Sequence, residues 1–374
     1  MGRILQTWPV LRWLPFWSSL LVLACVAPAC SRIERPDAEE LKQLPLEAEL
    51  PGSPPPSGIR YWRAPFRMLP YSGSYLSVII REGDGKRELE LWQNTWGDPG
   101  AAERRIVVRR GPSLQRLGEP QAAFDGTIIS DVPAPDKPDQ LAPGRGFTRP
   151  AMAFHPDIGY VLFACVCPDY KPGSVPLLPA FVVSKTGEPG TWKYLGTLKG
   201  EIADLAAKRT IWSDGGSLIR LDDGRWRIYL NGFGQVVTAI ESASLDGPWR
   251  FLRDDRGEIR ELLPGFPTGP SRGGCFPTVV RAASDEWHLW LSDKWPPQCI
   301  WHFYSQDGLA WRPYGRQPEI TRAAFHGRGI KCLRAHVDPN RREIVGLLSV
   351  WTRQPDGKKG WTLHWSRMPL GPPP

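Results

Sequence analysis

Apolar and polar residues alternate through most of the chain in short runs, and the runs recur. Ser217-Leu218-Ile219-Arg220-Leu221 reaches a polar turn at Asp222-Asp223-Gly224, and Trp226-Arg227-Ile228-Tyr229-Leu230 runs back. Thr278-Val279-Val280-Arg281 turns at Ala283-Ser284-Asp285 into Trp287-His288-Leu289-Trp290-Leu291. Leu333 to Val337 turns at Asp338-Pro339-Asn340 into Ile344 to Leu348, and Phe147 to Met152 turns at His155-Pro156-Asp157 into Tyr160 to Ala164. Strands rich in β-branched and aromatic residues, joined by Asp, Gly and Pro turns, predict antiparallel hairpins. A third strand follows in three of these units: Phe181–Val183, Val236–Ile240 and Ile300–Tyr304.

Each third strand ends on the same turn. Ser184-Lys185-Thr186-Gly187 leads to Trp192, Ser244-Leu245-Asp246-Gly247 to Trp249, and Ser305-Gln306-Asp307-Gly308 to Trp311. These tryptophans lie about 57 and 62 residues apart, and Trp365-Ser366 is a short last version. A fourth strand follows each tryptophan. A recurring unit of four antiparallel strands is a propeller blade. Five units fit between about Tyr61 and Met368. The first, about 59–122, is the most degenerate, with strands Tyr75–Ile80, Glu88–Trp92 and Ile106–Val108. The fold class is therefore all-β, a five-bladed β-propeller of four-stranded antiparallel blades; a pair of β-sandwiches is the alternative.

Composition agrees. Gly 38 and Pro 40 punctuate short elements and argue against long helices. The N-terminus changes the picture of location. Arg3 and Arg12 precede an apolar stretch from Trp13 to about Ala29, which is short for a membrane span. Val22-Leu23-Ala24-Cys25 and Ala27-Pro28-Ala29-Cys30 resemble lipoprotein cleavage boxes. Residues 1–30 read as a signal peptide of lipoprotein type, with Cys30 or Cys25 as anchor, or as an ordinary cleaved signal. Residues 31–58 are a Pro-rich acidic linker, and 59–374 the propeller. The expected location is extracytoplasmic: secreted, periplasmic or lipid-anchored, with the membrane touched only through the anchor. Five cysteines remain beyond the signal, an odd number; Cys275 and Cys332 hold nearly equivalent places, as buried thiols or as a bridge.

Residues 1–58 hold five basic and six acidic residues, so Lys+Arg 47 and Asp+Glu 39 fall to 42 and 33 in the body, about +9. That balance favours an acidic ligand or surface. No basic helix or patterned patch points to nucleic acid. No cofactor motif and no metal-ligand set is read from the chain.

The Ser-x-Asp-Gly-x-x-Trp turns, and strands such as Trp226–Leu230 after an Asp-Gly turn, resemble the five-bladed propeller glycosidases of the arabinanase, xylosidase and fructosidase groups. The resemblance spans about 59–370. Sialidases use a related turn in six blades, and the length here suits five. The resemblance implies an active site at one mouth of the central channel, served by three carboxylates. Trp212-Ser213-Asp214-Gly215-Gly216-Ser217-Leu218 resembles the stretch that carries the pKa-tuning Asp, which makes Asp214 the catalytic candidate. The pattern then breaks. Ala64 stands where the first blade should offer an Asp, and Arg272-Gly273-Gly274-Cys275 holds no acid where the fourth should offer a Glu. Asp125, Asp131, Asp293 and Glu241 are the available replacement carboxylates, and each reads also as a solvated turn residue or a strand-end hydrogen-bonding group.

Arg63, Arg149, Arg272, Lys331 and Arg334 recur at or near the starts of innermost strands, and His336 lies on the fifth. They read either as a cationic mouth for an acidic saccharide or as structural pairs between blades. The substrate-contact candidates are Arg149, Trp212, Arg272, Arg334, His336 and Asp293. Two functions follow: an exported glycoside hydrolase-like propeller acting on an oligosaccharide or polysaccharide, or a non-catalytic carbohydrate-binding propeller that has lost two acids. A second carboxylate about 5–10 Å from Asp214 separates them.

Overall fold

The computed structural model describes residues 62, 66–83, 86–94, 106–124, 133–134, 137–141, 147–166, 178–207, 211–212, 216–232, 237–264, 275–293, 299–315, 318–326, 328–338, 340–353 and 359–370. The first strand, β1 (Arg67–Ser72), precedes the first blade. Blade 1 comprises β2 (Ser74–Gly83), β3 (Lys86–Asn94), β4 (Ile106–Gly111) and β5 (Gln121–Phe124). A small hairpin, β6 (Pro133–Ala134) with β7 (Lys137–Leu141), separates it from blade 2. Blade 2 comprises β8 (Phe147–His155), β9 (Gly159–Val166), β10 (Leu178–Ser184) and β11 (Lys193–Thr197), and α1 (Glu201–Ala207) follows. Blade 3 comprises β12 (Ile211–Trp212), β13 (Leu218–Arg220), β14 (Trp226–Gly232), β15 (Val237–Ser242) and β16 (Arg250–Phe251). Blade 4 comprises β17 (Cys275–Ala283), β18 (Glu286–Ser292), β19 (Cys299–Ser305), β20 (Arg312–Pro313) and β21 (Ile320–Thr321). Blade 5 comprises β22 (Gly329–Asp338), β23 (Glu343–Arg353) and β24 (Lys359–Pro369).

The five blade sheets are antiparallel ladders in chain order except at two outer strands; in blade 4, β21 pairs back with β19 beside β20. The outer edge of blade 5 is β1, which pairs with β24, Arg67 opposite Trp365. The segment expected to open the first blade thus completes the last one. Trp62 lies over the backbone of Gly346, where a Cβ would meet its ring at 2.6 Å, and packs 5.3 Å from Trp290 of blade 4.

The core is five apolar clusters, one at each junction between neighbouring blades. Strand alternation supplies both sides of every blade. On β9, Tyr160, Leu162 and Ala164 enter the blade 1–2 cluster, while Val161 and Phe163 enter the blade 2–3 cluster. This is why the middle strands read as unbroken apolar runs instead of alternating ones.

Polar ties cross the same junctions. Trp192 Nε1 donates to the Ala123 carbonyl at 2.7 Å, and Tyr160 Oη donates to Glu90 at 2.7 Å, both from blade 2 to blade 1. Tyr229 Oη donates to the Gly308 carbonyl at 2.8 Å, from blade 3 to blade 4. Arg87 binds Asp338 at 2.5 Å and joins blade 1 to blade 5. The recurring Ser–Gly turns are held from within: the Gly187 and Gly308 N–H groups donate to Ser184 Oγ and Ser305 Oγ at 2.8 and 3.0 Å. Cys299 and Cys332 are buried and outside any disulfide, so Cys332 is not bridged to Cys275.

Two glycines with left-handed backbone separate turn geometry from packing. Gly308 has φ of 71°, and a Cβ there would meet Tyr229 Oη at 2.6 Å; Gly224 has φ of 83° with open space around it. Gly224→Ala is expected to cost about 1–2 kcal/mol, the left-handed penalty alone. Gly308→Ala adds a junction clash and is expected to cost roughly 1–3 kcal/mol more. Urea midpoints of the two variants test this, and equal losses would refute the packing role of the turn.

Candidate functional site: the central channel

The innermost strands β2, β8, β12–β13, β17 and β22 all run from the end called upper here to hairpin turns at the lower end. Those of blades 1, 2, 4 and 5 carry a β-bulge at the same height. On β8, three steps from Thr148 to Ala151 face two on β9, Cys165 to Phe163. The same mismatch occurs at Ser74–Ser77, Cys275–Thr278 and Ile330–Leu333. In blade 3, Trp212 pairs with Asn231 and the Ser217 carbonyl accepts from the Tyr229 N–H, and the residues between lie outside the described ones. A bulge bends a strand and redirects its side chains, and the four stand at one level around the ring of blades.

Just below that ring, hydroxyls stitch the inner strands together. Ser77 Oγ accepts from the Met152 N–H at 2.9 Å, and Ser217 Oγ from the Val279 N–H at 2.7 Å. Thr278 Oγ1 donates to the Leu333 carbonyl at 2.6 Å. These residues and those beneath them line a cavity of about 400 Å³. Its ionisable lining is Arg220, Arg281, Arg334 and His336, with no carboxylate among the described lining residues.

Each of these groups has a distinct setting. Arg334 is buried; its Nη1 donates to Thr278 Oγ1 at 3.1 Å and to the Pro277 carbonyl at 3.3 Å. Arg281 grips Asp222 with two hydrogen bonds at 2.6 and 2.5 Å, which hold the Asp222 carboxyl below its ordinary range. Arg220 Nη1 lies 3.0–3.1 Å from both ring nitrogens of His155 and 3.3 Å from Asp157. Burial, then the Arg220 charge, lowers the His155 pKa and keeps the imidazole neutral. His336 makes no hydrogen bond among the described residues. Burial pushes it down to about 4, against a weaker opposing pull from Asp338.

The buried carboxylates of the described residues are engaged elsewhere. Glu90 accepts from Tyr160, Trp92 and Arg110. Glu241 binds Arg227 Nε at 2.7 Å and also Arg225. Glu319 accepts from Trp290 Nε1 at 2.8 Å.

The sequence candidates divide by height. Arg149 stands in the bulge of β8 and Trp212 at the end of β12, opposite Asn231. Asp293 follows the upper end of β18, where its N–H donates to the Cys299 carbonyl at 3.1 Å and its carboxylate accepts from the Cys299 N–H at 3.2 Å. Arg334 lies below the ring, and His336, opposite Val345, lies near the lower turn. The expected single basic mouth therefore does not include His336. Asp214, Arg272, Asp125 and Asp131 lie outside the described residues. The sequence reading passed over the Arg220–His155 contact and the buried His288–His302 pair at 2.9 Å, flanked by Glu286 at 3.1 Å and Glu319 at 3.3 Å. Alternation in Trp287-His288-Leu289-Trp290 was the available signal for the second.

No family model and no curated protein matches this chain. Solved structures do. A thermostable family-43 glycoside hydrolase superposes with a TM-score of 0.55 at 14% identity, over 82% of this chain and 97% of its own. A putative exo-β-1,3-galactanase from Bifidobacterium bifidum gives 0.54 at 12%, over 82% and 94%. An exo-1,5-α-L-arabinanase from a bovine ruminal metagenomic library gives 0.52 at 11%, over 81% and 95%. At these identities the likeness is one of fold, and the fold is the five-bladed propeller found in family-43 glycoside hydrolases.

The channel histidine makes stability depend on pH. His336 is neutral in the folded protein down to about pH 4, whereas a free histidine titrates near 6.5. Between these values the unfolded chain binds a proton that the native one refuses, so stability falls as pH falls, by up to about 1.4 kcal/mol per pH unit. His155 and His364 are lowered too and share in the loss. Urea midpoints from pH 7 to 4 are expected to drop for the wild type and to drop less for His336→Gln. Parallel curves would remove His336 from the account.

Proposed function

We propose that this protein is an exported glycoside hydrolase-like propeller that acts on a glycan at the upper mouth of its channel, and on an acidic one in preference to a neutral one. The acidic preference rests on Arg149 and Arg272 where innermost strands open at that mouth, with Arg334 in the cavity wall beneath them and no carboxylate among the described residues lining that cavity. Guanidinium groups at a partly desolvated wall favour carboxylate or sulfate through paired hydrogen bonds. The reading as a glycan-acting protein rests on the shared fold and on the stretch Trp212–Leu218. Glycoside cleavage needs one group to protonate the leaving oxygen and another to attack or to activate water. Asp214 is assigned the orienting and pKa-tuning role, with Trp212 as a stacking face. Arg149, Arg272 and Asp293 are assigned to substrate at the mouth, and Arg334 holds the wall beneath them.

A second reading, a carbohydrate-binding propeller without catalysis, is favoured by a specific observation. Ala64 and Gly273-Gly274 stand where the resemblance expects acids, and Glu90, Glu241 and Glu319 are each committed to internal partners. The N-terminal segment fits delivery to the cell surface through lipid on Cys30.

Two experiments test these readings. The purified protein and its Asp214→Asn variant are incubated with neutral and uronic-acid oligosaccharides, and products are read by mass spectrometry. Products from the wild type, reduced at least about 100-fold in the variant, are expected. Thermal stabilisation by oligosaccharide without products selects the binding reading, and equal response to neutral sugars removes the acidic preference. For the anchor, labelled fatty acid is expected on the wild type and absent from Cys30→Ala. Retained label would move the site to Cys25.

A further inference from the structure

The upper rim of blade 5 differs from the rest of the described surface. The last rung that β22 shares is Gly329–Trp351–Trp361, one step above the Ile330–Val350 pair that opens the bulge of β22, and β23 and β24 pair for two rungs beyond it. Trp351 and Met68 are the large apolar side chains exposed among the described residues, at 36% and 65%. Met68 belongs to the outermost strand of the blade, remote from the channel. Trp351 belongs to β23, the second strand, one strand spacing of about 4.8 Å from the inner wall. By alternation it shares a face with Val345 and Leu347, which pack against blade 1. It therefore stands at the upper end of the cleft between blades 5 and 1.

The exposed indole is built in. Trp361 packs against it edge-on, ring centroids 4.7 Å apart and planes at 66°. Trp361 is held in turn by Lys331, a residue of the β22 bulge with 1% exposure, whose Nζ lies 4.9 Å from the Trp361 ring centre. On the strand side, a Cβ at Gly329 would stand 3.3 Å from the Trp351 Cβ, so glycine lets the two strands approach closely here. A second tryptophan, itself held by a buried lysine, thus supports an indole that still presents surface to water. One indole is far smaller than the roughly 1,000 Å² that a stable protein partner covers. It matches the area of one sugar ring.

We propose that Trp351 is a sugar-stacking platform, receiving the C–H face of a pyranose unit of the glycan next to the unit that enters the channel. The inference rests on the glycan reading above. Pyranose C–H groups carry partial positive charge and the indole face is negative, which suits stacking on a rigid ring. Lys331 acts as a positioning residue, through Trp361.

The test compares wild type, Trp351→Ala, Trp351→Phe and the control Met68→Ala on the oligosaccharides that the wild type binds or cleaves. Trp351→Ala is expected to raise KM or Kd about 10–100-fold, with kcat within about twofold, because a lost contact common to ground and transition states moves only binding. Trp351→Phe is expected to recover most of that loss, and Met68→Ala to match the wild type. Oligosaccharide quenching of tryptophan fluorescence should weaken in Trp351→Ala. Should that variant not fold, Trp351→Leu, which packs against Trp361 without an aromatic face, is read by the same criteria. Unchanged KM or Kd in a folded variant, with the wild type binding glycan, overturns the platform and leaves the glycan reading intact. A wild type that binds no glycan in the panel overturns both.

Discussion

A ring of blades must close, and everything else in this molecule is subordinate to that requirement. Each blade presents two apolar faces, and each face has to fit a neighbour that is itself pinned on its other side. Five junction clusters meet the requirement together. The last junction depends on residues that precede the first blade. Leu69 of β1 is buried in the blade 5–1 cluster, and Trp62 and Phe66 pack at the junction of blades 4 and 5. Inner strands come closest together, where side chains are crowded out, and there the small hydroxyls of Ser77, Ser217 and Thr278 replace apolar contact with direct hydrogen bonds to the neighbouring strand.

Charge is distributed by the same geometry. At the lower turns, pairs such as Arg281–Asp222 are half in water, where an ion pair contributes about 0–1 kcal/mol. Around Glu90 the case is different. Its carboxylate is fully buried, and Tyr160, Trp92, Arg110 and Arg81 surround it. Burial and the neighbouring Glu90 charge keep the Tyr160 phenol protonated, hence a donor. Taking one partner from such a web costs about 3–5 kcal/mol, since a charge is left stranded. Among the described residues the cavity lining holds guanidinium groups and no carboxylate, because the acids that meet them, Asp222 for Arg281 and Asp157 for Arg220, stand at the turns.

Blades 2 to 5 were legible in the sequence because their hairpins and Ser–Gly–Trp turns are local. A serine hydroxyl that caps its own turn leaves a signature within a few residues, as Ser305 and Gly308 do. The closing strand was not legible. Arg67-Met68-Leu69-Pro70-Tyr71-Ser72 reads as the start of something, and only its partner β24, at the other end of the chain, shows that it finishes the ring. Bulges are similarly hidden, since a residue in excess is defined only against the strand beside it. This governs the site. The recurrence of Arg149 and Lys331 at the openings of inner strands was visible, and both prove to sit in bulges. Counting along β22 did not show that Arg334 would turn to Thr278 or that His336 would fall near the lower turn, because both depend on where the bulge resets the register. Trp351 escaped notice for a simpler reason: in a chain with 18 tryptophans, exposure is what singles one out, and exposure is a property of the fold.

The pairing of β1 with β24 also sets a timetable. Arg67 meets Trp365 across nearly three hundred residues, so a chain made from its N-terminus carries β1 as an unpaired edge until almost the last strand exists. Contacts this distant in sequence slow folding, and an open strand edge is a template for wrong partners. The blades, built from local hairpins, can form as they emerge. The ring cannot. A molecule of this design spends its synthesis as a row of sheets with one unmatched end, and becomes a closed body only in the final step.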